Sequence, residues 1–132
     1  MPAVPFRVLL ISAGAVLGAN ARYWVGVLFT RLTTTGFPWA TLTVNVSGSL
    51  LLGGFAGWAA RQLPNPGWAL VLAVGFCGAY TTFSTFGLEL FAMLQGRNVA
   101  QALAYVAASV VLSAGAVALG WSAGQALAGM PR

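Results

Sequence analysis

Residues 75–87 read Gly75-Phe76-Cys77-Gly78-Ala79-Tyr80-Thr81-Thr82-Phe83-Ser84-Thr85-Phe86-Gly87. The segment sits in the middle of an apolar stretch running from about Gly67 to Leu94. A bilayer-spanning helix takes roughly 20 apolar residues, so this stretch is long enough to cross. Inside it, four hydroxyls (Thr81, Thr82, Ser84, Thr85) fall within five positions, beside glycines. Ser and Thr compete with the helix by bonding to nearby backbone, and Gly weakens it. The spacing therefore predicts a helix that breaks near Gly78 to Thr82. At membrane depth, backbone leaves a helix only where it is buried in protein or lines a wet cavity. A broken helix exposes carbonyls at one half-end and N–H groups at the other, and such groups bind ions. The alternative is an unbroken helix whose hydroxyls bond back to its own carbonyls.

Working outward, three more apolar stretches are long enough to span: about Val4 to Arg31, Phe37 to Ala60 and Val99 to Leu127. Short Gly- and Pro-punctuated turns separate the four, at Thr33-Thr34-Thr35-Gly36 with Pro38, at Arg61-Gln62-Leu63-Pro64-Asn65-Pro66-Gly67, and at Gln95-Gly96-Arg97-Asn98. The expected fold is an all-α integral membrane protein, a single domain over 1–132 with spans at about 4–31, 37–60, 67–94 and 99–127. Arg7, the apolar run after it and Ala19-Asn20-Ala21 have the look of a cleavable signal. Apolar sequence continues past Arg22, however, and cleavage would cut a spanning helix in half.

Composition agrees. Of the 132 residues, 59% are hydrophobic and 5% charged, against about 25% charged in soluble domains. The ionisable side chains apart from Tyr and Cys are six Arg and one Glu, with no Asp, Lys or His. That inventory argues against an enzyme: it supplies no imidazole base, carboxylate pair, metal cluster, Schiff-base lysine or Walker-type lysine. Six isolated arginines form no basic patch, which argues against nucleic acid as a partner. Cys77 has no cysteine partner in the chain and says nothing about redox compartment.

Four spans put Arg7, Arg61 and Arg132 on one side and Arg22, Arg31 and Arg97 on the other. Orientation follows Lys/Arg bias, and here there is almost none. Either other features decide the orientation, or the chain inserts both ways and two oppositely oriented copies pair about an axis in the membrane plane, as inverted repeats do in transporters. Gly14/Gly18, Gly53/Gly57 and Gly120/Gly124 form small-xxx-small pairs suited to close helix packing.

Polar residues at mid-membrane cost free energy unless they face protein or water. Phe83 and Phe86, three apart, share a helix face. Their positive ring edges attract an anion without formal charge, although such a pair also serves as simple packing. Asn45 either makes an interhelical hydrogen bond, worth about 1 kcal/mol, or donates its amide to a passing ion. Tyr105, Ser109 and Ser113 recur every four residues and form a stripe of neutral O–H donors in the fourth span. Neutral donors bind an ion loosely enough to release it, as conduction requires. Glu89, the one acid, is either a functional group or a hydrogen-bonded bystander.

Three motifs in order carry a family resemblance: Gly18-Ala19-Asn20-Ala21-Arg22-Tyr23; Asn45-Val46-Ser47-Gly48 with Gly53; and Gly78-Ala79-Tyr80-Thr81-Thr82-Phe83-Ser84-Thr85-Phe86. Over its whole length the chain resembles the Fluc/CrcB fluoride channels. The resemblance implies an antiparallel dual-topology homodimer in a bacterial plasma or inner membrane, exporting fluoride passively through two pores at the subunit interface. It implies Phe83 and Phe86 as anion-facing rings, Asn45 as the pore asparagine, Ser84 and Thr85 as third-span hydroxyls, and Tyr105 and Ser109 as the fourth-span track. It also implies a structural Na+ on the dimer axis, held by backbone carbonyls of Gly78 and Thr81. Arg22 falls on a vestibule arginine, and Glu89 on an acidic position whose role is left open. One departure is Ala79, where the family carries a second Gly. A left-handed residue there would strain the Cβ, yet the break is expected to survive. The competing expectations are a small multidrug-type proton-coupled transporter, which would need an acid in the first span, and a non-conducting assembly subunit of a membrane complex.

Overall fold

A computed structural model describes residues 3–62 and 65–129. Leu63 and Pro64 of the expected second turn, and Arg132 of the arginine balance, lie outside the described residues. Helix α1 is Val4–Leu32 and α2 is Trp39–Gln62. The third span, Pro66–Gln95, is in two pieces. Its first piece, α3 (66–80), comprises a turn at Pro66–Trp68, a π-helical run at Ala69–Cys77 and a turn at Gly78–Tyr80. Its second piece is α4, Phe83–Gln95, and the chain closes with α5, Val99–Ala128. All four spans are apolar and long enough to cross a membrane.

Local chemistry sets the ends. Pro5 occupies the first turn of α1, where its missing N–H costs nothing. Asn65 caps α3 by accepting from the Gly67 N–H at 2.9 Å. Asn98 caps α5 through the Gln101 N–H. After α4, Arg97 takes a left-handed conformation at φ 57° while the Asn98 N–H reaches back to the Met93 carbonyl at 2.9 Å, as in a Schellman ending. Arg bears the cost, about 1 kcal/mol, at a place where Gly usually sits.

The helices pack mainly as two pairs, α1 against α3 and α2 against α5, with α4 lying on α5. The glycine pairs are the seams. A methyl on Gly14 or Gly18 would overlap backbone of Val71 and Phe76, and one on Gly53 or Gly57 backbone of Val117 and Trp121. From the other side, Gly120 and Gly124 meet Leu50 and Gly54. In lipid no hydrophobic force pulls helices together, so such backbone contact supplies the van der Waals gain. The α3 half was expected as an ordinary helix up to the break. The structure instead winds it as a nine-residue π-helix, where i→i+5 bonding is rarely sustained. It lies along the Gly14–Gly18 face of α1, and Gly75 opposes Ile11 and Gly14.

Replacing Gly14 with Ala should therefore cost about 1–3 kcal/mol, as overpacking does. Gly26 has nothing within 4 Å of a built Cβ, and Gly26→Ala should gain up to about 1 kcal/mol of helix propensity. Thermal unfolding of the two variants in detergent reads both signs; a Gly14→Ala protein as stable as the parent would contradict the seam.

Candidate ion site at the broken third span

The break is two residues long. The last helical bond runs from the Thr81 N–H to the Cys77 carbonyl at 3.0 Å. Thr81 (φ −78°, ψ 159°) and Thr82 (φ −151°, ψ 117°) are then extended, and α4 starts at Phe83. No glycine takes positive φ among the described residues. Gly78 is right-handed at φ −62°, ψ −33°, and Ala79 lies in the helical turn after it. The Cβ at position 79 is thus tolerated, because two threonines rather than a glycine turn the chain.

Both backbone groups of Thr82 are paired by one side chain. Its N–H donates to Asn45 Oδ1 at 2.8 Å, and Asn45 Nδ2 donates to its carbonyl at 3.1 Å. An unpaired backbone group in hydrocarbon costs several kcal/mol, so this amide makes the break affordable at depth. Gly48, one turn along α2, clears the way: a methyl there would overlap Thr81 Cγ2 and press on the Tyr80 ring. The N-x-x-G spacing therefore puts a brace and a gap on one helix face. Of the two roles open for Asn45, the structure displays the interhelical bond, with one amide hydrogen left over.

Thr82 also caps α4. Its Oγ1 accepts from the Thr85 N–H at 3.1 Å and donates to Thr85 Oγ1 at 2.9 Å, with Ser84 Oγ 3.3 Å away. The Ser84 and Thr85 hydroxyls are thereby gathered onto the cap, and neither residue lines the neighbouring cavity. Thr81 Oγ1 bonds back to the Cys77 carbonyl at 2.9 Å, so one of the four hydroxyls follows the back-bonding alternative. Arg22 approaches from α1, its guanidinium donating to the Thr81 carbonyl at a long 3.5 Å.

Beside the break lies an open cavity of about 420 Å³. Asn45, Thr82, Phe83, Phe86, Ser109 and Ser113 line it, together with Gly78, Thr81 and, unforeseen from sequence, Ser49 and Cys77. The Phe83 and Phe86 rings lie 5.7 Å apart at 35°. Phe83 is 84% exposed in the single chain. Ser109 Oγ is buried without a hydrogen-bond partner among the described residues. A buried hydroxyl left unpaired points to a missing polar neighbour.

Tyr105 departs from the expected stripe. It is fully buried, its ring 4.9 Å from that of Phe86 and 5.5 Å from that of Phe37. Its hydroxyl donates to Glu89 Oε2 at 2.7 Å, while Thr41 donates to Oε1 at 2.8 Å. Both carboxylate oxygens are occupied, and the Tyr105 proton is committed to Glu89 rather than to the cavity. Ser109 and Ser113 alone carry the stripe there. The Thr41 partnership escaped the sequence reading because 48 positions separate it from Glu89 and no local spacing links them. Glu89 also borders a second cavity of about 410 Å³, with Asn98 and Gln101, at the loop end of α4.

Comparison with known proteins places this architecture. The chain is 50% identical over 114 residues to the fluoride-specific ion channel FluC 1 of Nitrobacter hamburgensis (strain DSM 10229 / NCIMB 13809 / X14), covering 86% of this chain and 90% of that protein. It is 43% identical over 116 residues to the fluoride-specific ion channel FluC of Caulobacter vibrioides (strain NA1000 / CB15N), covering 86% and 91%. It is 43% identical over 114 residues to the protein of the same name from Rhodospirillum centenum (strain ATCC 51521 / SW), covering 86% and 90%. Residues 9–121 match the family described as CrcB-like protein, Camphor Resistance (CrcB). The expected resemblance stands: with four membrane-crossing helices and this match over most of its length, the chain is a multi-pass membrane protein of the CrcB family.

Proposed function

We propose that the protein is a fluoride channel that lets the ion leave a bacterial cell passively across its plasma or inner membrane. The relatives at 43–50% identity are named as fluoride-specific channels. The main structural support is the cavity beside the break, where two phenylalanines, one amide and an orphaned serine hydroxyl converge without a cation in the lining. Fluoride is small and strongly hydrated, so it must exchange water for other partners on entry. The Ser109 and Ser113 hydroxyls and the free Asn45 N–H supply O–H and N–H donors. The Phe83 and Phe86 edges supply weak positive potential. With no Lys or Arg in the lining, the ion is not held, and multiple weak sites allow it to leave. Ser84, Thr85 and Tyr105 would act at one remove, by shaping the α4 cap and the Phe86 wall; Arg22 reaches the break, and Glu89 anchors Tyr105.

The channel would be an antiparallel homodimer with two pores. Its support is the three-against-three arginine balance together with the uncovered Phe83, for which a second copy supplies the missing wall. At the centre, the Gly78 and Thr81 carbonyls would hold a structural Na+. They fit that role in one respect. In a continuous helix their donors would be the N–H groups of residues 82 and 85, and both are given to side-chain oxygens, Asn45 Oδ1 and Thr82 Oγ1. When bound, the ion supplies a fixed positive charge that offsets the cost of bringing anions into the interior.

Liposomes holding the purified protein should pass fluoride electrogenically and chloride poorly. Silence for fluoride, with proton-coupled uptake of cationic drugs, would overturn the channel. Phe86→Leu and Ser109→Ala should each lower flux about tenfold, the worth of one ring-edge contact or one hydrogen bond, while size-exclusion profiles stay dimeric. Normal conduction by both variants would refute the pore assignment. A reporter fused to the C-terminus should be detected on both membrane faces, and replacing Arg31 and Arg97 with Ala should shift it to one face; a parent confined to one face would exclude dual insertion.

A further inference from the structure

The donors lost by Gly78 and Thr81 point to a division of labour that no family motif spells out. A helix carbonyl normally accepts from the N–H four residues on. For Gly78 that is the Thr82 N–H, which Asn45 Oδ1 takes at 2.8 Å from the neighbouring helix. For Thr81 it is the Thr85 N–H, which Thr82 Oγ1 takes at 3.1 Å. Two side-chain oxygens thus claim the two amides that would reclaim those carbonyls. We propose that Asn45 and Thr82 are positioning residues that hold the Gly78 and Thr81 carbonyls out of helical hydrogen bonding, and so make a backbone site for a small hard cation. Hard cations favour oxygen ligands, and carbonyls provide them without a carboxylate, which suits a chain whose sole acid is already bonded twice. The Thr81 carbonyl has two lone pairs, so the long contact from Arg22 leaves one for an ion. Without Asn45, the Thr82 N–H loses its acceptor on α2 and returns to the Gly78 carbonyl, its partner in a continuous helix, so that the break closes from its upstream side. Without the Thr82 hydroxyl, α4 extends backward by one bond and the Thr81 carbonyl is spent. Asn45 then connects α2 to the cation through the backbone, whether or not it also touches the anion.

This inference rests on the proposed Na+ site, and the test separates the two. The full-length protein in detergent is melted over a Na+ series, with choline holding ionic strength constant and no fluoride present. The parent and Thr82→Ser, which keeps the cap, should both gain stability with Na+ at similar midpoints. Thr82→Val, of the same shape, should raise the Na+ midpoint about tenfold, the equivalent of one lost hydrogen bond. Asn45→Leu should do the same or more; should it fail to fold, Thr82→Val decides. A parent without any Na+ response would remove the cation site and this role with it. A parent that responds, with Thr82→Val responding at the same midpoint, would overturn the positioning role alone and leave the cation site standing.

Discussion

Backbone that crosses hydrocarbon must have its polar groups paired, and the contact between Asn45 and Thr82 is where this chain meets that demand. Two hydrogen bonds from one amide satisfy both backbone groups of the residue at which the third span comes apart. The cavity, the exposure of Phe83 and the release of the Gly78 and Thr81 carbonyls all follow from a break that is stable at that place. A continuous helix through Thr81 and Thr82 would give the Thr82 and Thr85 amides back to the ladder and carry Phe83 and Phe86 along the same helix as Phe76 and Tyr80, which stack at 5.5 Å on the other side of the break.

The break also depends on how tightly its neighbours approach. Glycines at 14, 18 and 75 bring α1 and α3 backbone to backbone, and Gly48 lets Thr81 press against α2. A rigid surround of this kind lets two extended residues persist in a helical bundle without sliding into a kinked helix. The rest of the polar inventory is allocated locally. Glu89 is satisfied by Thr41 and Tyr105, and Ser47 by the Thr43 carbonyl and the Tyr80 hydroxyl. What remains unallocated among the buried side chains of the described residues is Ser109 Oγ, and it borders the cavity.

This allocation weighs against the competing readings. A proton-coupled exchanger needs an acid that gains and loses its proton in contact with substrate. Glu89 has both oxygens engaged and lies in α4, while the first span carries no acid at all. A purely structural subunit has use for the glycine seams but not for a braced break beside a polar-edged cavity.

Much of the fold was legible in the sequence because membrane constraints are local. Four runs of apolar residues, Gly and Pro between them, and clustered hydroxyls beside Gly78 specify four helices and a break in the third, since each rests on the cost of exposing backbone to lipid over a few residues. The motifs singled out Asn45, Phe83 and Phe86 and the four-residue stripe singled out Ser109, and all four line one cavity. What spacing could not convey were pairings across the bundle. Asn45 meets Thr82 over 37 positions and Thr41 meets Glu89 over 48. Such contacts, with that of Tyr105 to Glu89, decide that Asn45 serves the backbone and that Tyr105 turns to Glu89 instead of the cavity; the Ser84 and Thr85 hydroxyls, by contrast, are gathered onto the α4 cap by Thr82 only two and three positions away. The π-helical winding of α3 was likewise invisible, because it accompanies close contact with the glycine face of α1 rather than any pattern in residues 69–77. Local composition determines which segments cross and where one must fail; only the packing of helix against helix assigns each polar atom its partner, because a hydrogen bond is fixed by distance in space and not along the chain.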